Sequence, residues 1–259
     1  MKKNNTKIIF LTTIFLGIFG LASSSRALTL PWSCGFEGGS LSSCGLSSEN
    51  SSNTDFTSSS ASHTGTYGYR VTVNSGDNNS LGGFYADSLA SPTNPSDVYV
   101  RWYMRVPSSI SFANFYKLIY FHTSNYTCLD FSEGNLVLET ANFNASINWG
   151  IGDIMAGCTH GGYASCYGDS QWHEYELHIK NNGFFEMWTD GVYRGSATNS
   201  QPDTDLNGLL EFMVNGHGVV GSGGVDWDDM AISTTGPIGP LGGSSDTTPP
   251  AAPSGLSVS

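Results

Sequence analysis

Strand-like alternation of apolar and polar residues recurs along the chain between clusters of Gly, Asn, Ser and Asp, and helical periodicity is nearly absent after residue 27. The clearest segment is "DVYVRWYMRVP". Val98, Val100, Trp102, Met104 and Val106 fall on one face, and Tyr99, Arg101, Tyr103 and Arg105 on the other. The first face predicts core, and the second a solvated, amphipathic side that could take a ligand. "NFYKLIYFHT", "HTGTYGYRVTVN", "NLVLETANF", "GLLEFMVNGH" and "GVDWDDMAIST" predict further strands, while "ENSSNTDFTSSSASHTG" reads as surface loop. His160 and His217 fall in Gly-rich stretches read as loops. The pattern predicts an all-β sandwich or jelly roll.

"WHEYELHIKNNGFFEMWTDGVYRG" predicts a hairpin. If Asn181–Gly183 form a three-residue loop with Gly183 left-handed, Ile179 faces Phe185 and Leu177 faces Met187, so both apolar sets share one side. That register sets His178 opposite Glu186, Glu176 opposite Trp188 and Glu174 near Asp190, on an outer, solvated face. Asp190 with Gly191 is a turn pair.

Composition narrows the context. The first 27 residues carry lysines at the start, an apolar run from Ile8 to Leu21 and small residues around Ser25 and Ala27, the pattern of a secretory signal peptide cut after Ala27. The run is shorter than the roughly 20 residues that span a bilayer, and no later stretch could cross one. The formal net charge of −12 disfavours nucleic acid, which needs a basic patch, and leaves a neutral sugar or a cation as compatible partners. Five cysteines lie in the exported part. Cys34 with Cys44 and Cys158 with Cys166 would close short loops and leave Cys128 over; a bridge from Cys128 to Cys158 or Cys166 is the alternative. Residues 235–259 are rich in Pro, Gly and Ser and read as a linker after a domain at 28–234.

"CGFEGG", "HTGTYGYRVTV", "VYVRWYMRVP" with "FYKLIYF", "WHEYELHIKNNGFFEMWTDG" and "VDWDDMAIS", in that order, resemble the concanavalin A-like lectin/glucanase superfamily, which includes laminin G-like modules and polysaccharide lyases. "DTTPPAAPSGLSVS" resembles the opening of a fibronectin type III-like repeat, which implies further domains beyond this chain. The first resemblance implies a two-sheet antiparallel jelly roll with polysaccharide as partner. It also implies a structural Ca²⁺ joining the first and last strands, with Glu37 and Asp228 as ligands and Asp226 as substitute; carboxylates are suitable hard oxygen donors.

Three kinds of chemistry compete for these residues. A retaining glycosidase needs two close carboxyl groups, but the superfamily's Glu-x-Asp-x-x-Glu strand is missing. A lyase needs a cation to neutralise a uronate, a base for its C5 proton and an acid for the leaving oxygen. Arg101, Tyr103, Arg105, Lys117, Tyr120 and His122 are of those types, yet "RWYMR" keeps only the arginines of the alginate-lyase Arg-Ser-Glu-Leu-Arg strand, and alternation turns Lys117 away from Tyr120 and His122. A binding module needs less: aromatic rings that stack on sugars, for which Tyr99, Tyr103, Trp172 and Trp188 are candidates. The favoured expectation is a secreted polysaccharide-binding module, followed by a lyase and then a protein adhesion module.

Overall fold

The structure, a computed structural model, describes residues 27–48, 54–57, 60–77, 79–86, 88–91, 95–122, 128–132, 135–139, 166–167, 169–198 and 209–242. The signal-peptide segment before Ala27, Cys158, His160 and the fibronectin-like segment lie outside them. The chain opens with β1 (Ala27–Thr29), β2 (Trp32–Cys34), a 3-10 turn at Leu41–Cys44, β3 (Ser47–Ser48), β4 (Thr54–Thr57) and β5 (Gly68–Val73). It continues through β6 (Asn79–Ala86), β7 (Ser88–Ser91), β8 (Asp97–Arg105), β9 (Ser111–His122), β10 (Cys128–Ser132) and β11 (Asn135–Glu139). The last strands are β12 (Cys166–Tyr167), β13 (Trp172–Lys180), β14 (Phe184–Thr189), β15 (Val192–Thr198), β16 (Leu209–Val220) and β17 (Gly223–Ser233).

These strands build a two-sheet antiparallel jelly roll. One sheet runs β15-β14-β13-β8-β17-β5-β4, with β2 also on β17; the other runs β11-β10-β9-β16-β6-β3, with β12 also on β9. The only parallel pairing among the described residues joins β1 to β7. Between the sheets, Val98, Val100, Trp102 and Met104 of β8 meet Tyr175, Leu177 and Ile179 of β13, Phe185 and Met187 of β14, and Val225 and Trp227 of β17. The opposite sheet supplies Phe84 and Phe212. Phe84 stacks on Phe212 at 5.2 Å and meets Tyr69, Phe36 and Trp227 edge-on at 4.9, 5.6 and 6.0 Å. The Tyr69 hydroxyl donates to the Gly83 carbonyl at 2.8 Å, which satisfies a buried polar group across the sandwich. A disulfide joins Cys34 to Cys44 and ties β2 to the 3-10 turn.

The hairpin register agrees with the sequence reading: Ile179 pairs with Phe185, Leu177 with Met187, His178 with Glu186 and Glu176 with Trp188. Gly183 has a φ of 84° and donates its N–H to Lys180, so the three-residue loop needs a residue without a Cβ there. The next turn sets Asp190 and Gly191 at φ values of 53° and 69°, the left-handed pair of a type I′ turn. In β17 the register slips by one residue between Asp228 and Ala231. Asp228 and Asp229 therefore both leave the core, and Met230 takes the inward place.

Four expectations need correction. Thr54–Thr57, read as loop, pairs with β5 as the edge strand β4. His217 sits within β16 opposite Phe115 rather than in a loop, because "NGHGVV" continues the ladder despite its glycines. The start of the segment 235–259, read as linker, packs back on the larger sheet, as hydrogen bonds from Ile238, Gly239 and Leu241 show. The outer face of β8 and β13 is consequently not solvated: Arg101, Tyr103, Glu174, Glu176 and His178 are all buried. Phe84→Ala should cost about 3–5 kcal/mol of unfolding free energy in urea titrations, since four aromatic rings would then border the void.

Candidate functional site

Alternation turns every second residue of β14, β13, β8, β17 and β5 away from the core, and cross-strand pairing lines these up in rows. One row is Trp172–Arg105–Asp226–Arg70. Asp226 is 1% exposed and accepts from Arg70 Nε at 2.5 Å and Arg105 Nη2 at 2.6 Å, so three strands share one carboxylate. Both guanidinium groups also donate to the Ser60 carbonyl. Arg105 in turn lies 4.8 Å from the Trp172 ring centroid, a cation–π contact.

The next row is Glu174–Tyr103–Asp228. Residues 60–67 lie over its Asp228 end, where His63 stacks on Tyr103 at 4.1 Å. Asp228 accepts the backbone N–H of His63 at 2.7 Å and of Thr64 at 3.1 Å, while Asp229 bonds the His63 ring and the Thr64 hydroxyl. At the other end the turn after β14 folds over Glu174, whose Oε2 accepts from Gly191 N–H at 3.1 Å while Oε1 has no partner. Burial pushes both Glu174 and Asp228 up to about 7, and neighbouring Asp229 adds to the rise at Asp228.

The third row is Trp188–Glu176–Arg101–Ala231. Here the C-terminal segment acts as a strap. Ile238 and Gly239 donate their N–H groups to the two oxygens of Glu176 at 2.8 and 2.7 Å, and Arg101 Nη1 donates to the Gly239 carbonyl at 2.9 Å. Leu241 N–H reaches the Tyr103 hydroxyl at 2.8 Å. A fourth row joins Glu186, His178 and Tyr99: the imidazole lies between Glu186 and Asp97 at 2.7 and 2.9 Å and stacks on Tyr99 at 4.0 Å. A second histidine, His173, bridges Asp190 and Asp169 at 2.7 and 3.0 Å. Burial alone would lower its pKa, but the two carboxylates outweigh that and raise it.

This arrangement separates the candidates. Arg101, Tyr103 and Arg105 point out of the larger sheet, whereas Lys117, Tyr120 and His122 belong to β9 of the other sheet, of which only the backbone is described. Tyr103, a candidate ring for sugar stacking, is covered by His63 and Leu241 and is 7% exposed. Trp172 and Trp188 do not form one platform: Trp172 starts β13, while Trp188 pairs with Glu176 four residues further on, roughly 13 Å along the strand. Tyr99 is only half-buried but spends a face on His178.

The Ca²⁺ candidates all meet N–H donors. Glu37 accepts from Thr66 and Tyr67 at 2.8–3.0 Å, Asp228 from the His63 and Thr64 amides, and Asp226 from two arginines. Among the described residues no group of three or more His, Cys, Asp or Glu is arranged to hold a metal ion. These oxygens already face N–H hydrogens: Glu37 and Asp228 hold residues 63–67, and Asp226 ties β5 to β8.

A residue absent from the sequence reading completes the open part of this face. The type I′ turn sets Tyr193 opposite Trp188, with ring centroids 5.6 Å apart and planes inclined at 58°. Tyr193 is 39% exposed, the neighbouring Val192 is 53% exposed, and Trp188 is half-buried. The Asp190–Gly191 pair carried the signal, because a two-residue turn makes the residues flanking it cross-strand neighbours.

No protein-family model matches the chain. No curated protein matches it either. Among solved structures, the cellulose-induced protein Cip1 is similar, with a TM-score of 0.56 at 16% identity over 80% of this chain and 98% of that one. The binding domain of Paraclostridial Mosquitocidal Protein 1 is similar with a TM-score of 0.52 at 14% identity, over 78% of this chain and 48% of that one. At these identities the likeness establishes the jelly-roll fold.

A carboxyl kept protonated by burial binds a proton that the unfolded chain releases near its ordinary value of about 4. Its stabilising contribution is complete below that value and is lost as pH rises toward about 7. Stability in urea should therefore fall from about pH 5 to about pH 8, with the raised His173 acting in the same direction, and Glu174→Gln should flatten part of the slope. Glu37→Gln should cost about 1 kcal/mol equally with and without chelator. A cost seen only in the presence of calcium would reinstate the ligand role.

Proposed function

We propose that this chain is a secreted polysaccharide-binding jelly-roll module of a larger extracellular protein. The observation that carries this reading is the Trp188–Tyr193 ring pair, partly exposed at the edge of a sheet whose central outer rows lie beneath residues 60–67 and the strap. Adjacent tilted rings offer flat apolar surface to the C–H faces of sugars, and the polar groups beside them hold a pyranose in orientation. The Cys34–Cys44 disulfide and the signal-like N-terminus agree with an exported protein.

A lyase would have to bring together residues divided between two sheets, three of which are committed to salt bridges, strap contacts or stacking. An adhesion module would use the same exposed rings against a protein, and the retention experiment separates the two. The purified chain should be retained on polysaccharide during affinity electrophoresis, and Trp188→Ala or Tyr193→Ala should weaken that binding about tenfold, which is about 1.4 kcal/mol, with unchanged melting temperature. Retention unaltered by both substitutions would refute this placement of the site.

A further inference from the structure

Resting on the reading just given, we infer that the ring pair selects neutral polysaccharides, whose units carry hydroxyl groups and no carboxylate or sulfate. The described charges around the rings carry this. Glu176 stands across β13 from Trp188, Glu186 lies two residues along β14 on the same face, and Asp190 occupies the adjoining turn with 46% of its side chain exposed. Glu174 lies beyond that turn, under Gly191. Glu174 holds its proton up to about 7 and adds little charge, but a polyuronate laid on these rings would bring its own carboxylates against Glu176, Glu186 and Asp190.

Cationic groups are present on the same face, but the described ones are already paired, the two histidines each with one of the acids just named and with a second carboxylate. Arg101 is buried with its guanidinium on the carbonyls of Gly239 and Asp229. Arg70 and Arg105 share Asp226 at the far side of the sheet. Lys180 lies over Phe184, at the opposite end of β14 from Trp188, and 3.5 Å from Asp97. His173 and His178 each sit between two carboxylates. Recruiting any of these for a ligand would leave a buried or half-buried carboxylate without its partner, a cost that an exposed sugar contact does not return.

The uncharged groups beside the rings suit a hydroxyl-rich chain. Ser196 pairs with Glu186 and Thr198 with Phe184, so both hydroxyls line the open edge strand β15 on the face of Tyr193, and both are exposed. On the other flank Pro240 lies 3.9 Å from where a side chain at Gly191 would begin, and Leu241 is 44% exposed. The strap thus gives the ring pair an apolar wall. Rings, hydroxyls and an apolar wall, bordered by carboxylates, recognise sugar surface and hydroxyl groups and repel anionic chains.

Affinity electrophoresis of the full secreted chain in gels containing soluble neutral β-glucan, polygalacturonate or chitosan tests the assignment. The expected result is retardation by the neutral glucan alone, insensitive to added salt and reduced about tenfold by Trp188→Ala. Trp188-dependent, salt-sensitive retardation by polygalacturonate, or by chitosan alone, would overturn the neutral assignment while leaving polysaccharide binding in place. No retardation by any polymer would overturn both.

Discussion

Everything on the outer face of the larger sheet depends on how buried charge is satisfied. Asp226, Asp228, Glu174, Glu176 and Arg101 stand on a surface that a sandwich ordinarily gives to water, and here each is less than a tenth exposed. A buried carboxylate without partners costs several kcal/mol, so such a face is stable only if donors are brought to it. Arg70 and Arg105 do this for Asp226. For the other acids the donors are backbone N–H groups, delivered by residues 63–64, by Gly191 and by the strap at Ile238 and Gly239. The covers and the charges therefore require each other: the acids hold the covers in place, and the covers replace the water the acids have lost.

That exchange determines what remains for a ligand. The strap and the segment at 60–67 close the centre of the face, including Tyr103 and Arg101, and stop short of the last hairpin. Trp188 and Tyr193 stay partly exposed there, because β15 is an edge strand and none of the described segments lies over it. Satisfaction is incomplete at Glu174, with one oxygen unpartnered and its proton retained to about 7, and at Arg101, whose Nε has no partner. Protonation there removes the charge that burial disfavours and couples this cover to pH.

Much of the architecture was readable from local pattern. The alternation in Val98–Val106 identified its core face, and the Asn181–Gly183 loop set a register that pairs Leu177 with Met187 and Glu176 with Trp188. Both follow from strand geometry and turn chemistry within about twenty residues of chain. The covers were not readable, because their contacts join residues far apart: Ile238 reaches Glu176 and Leu241 reaches Tyr103, across 62 and 138 positions. They act through backbone N–H groups, which every residue except proline carries, so "TTGPIGPLGG" looks like linker whether or not it packs. Trp172 and Trp188, both candidates from one stretch, stand four residues apart along β13, because nearness in sequence is not nearness across a strand pair.

The sequence alone determined the all-β class, the inward residues of the main strands, the hairpin register and the acidic character of the chain, because period-two patterning and turn residues are short-range properties. Only the tertiary structure decided which outward residues meet water. It buried Glu174, Glu176, Arg101 and Tyr103 beneath distant segments, moved the calcium candidates onto N–H donors, and set one tryptophan beside one tyrosine at the sheet edge, partly exposed among the described residues. The physical reason is that solvation of an outward side chain depends on whatever else the fold lays over it, and no local pattern encodes that.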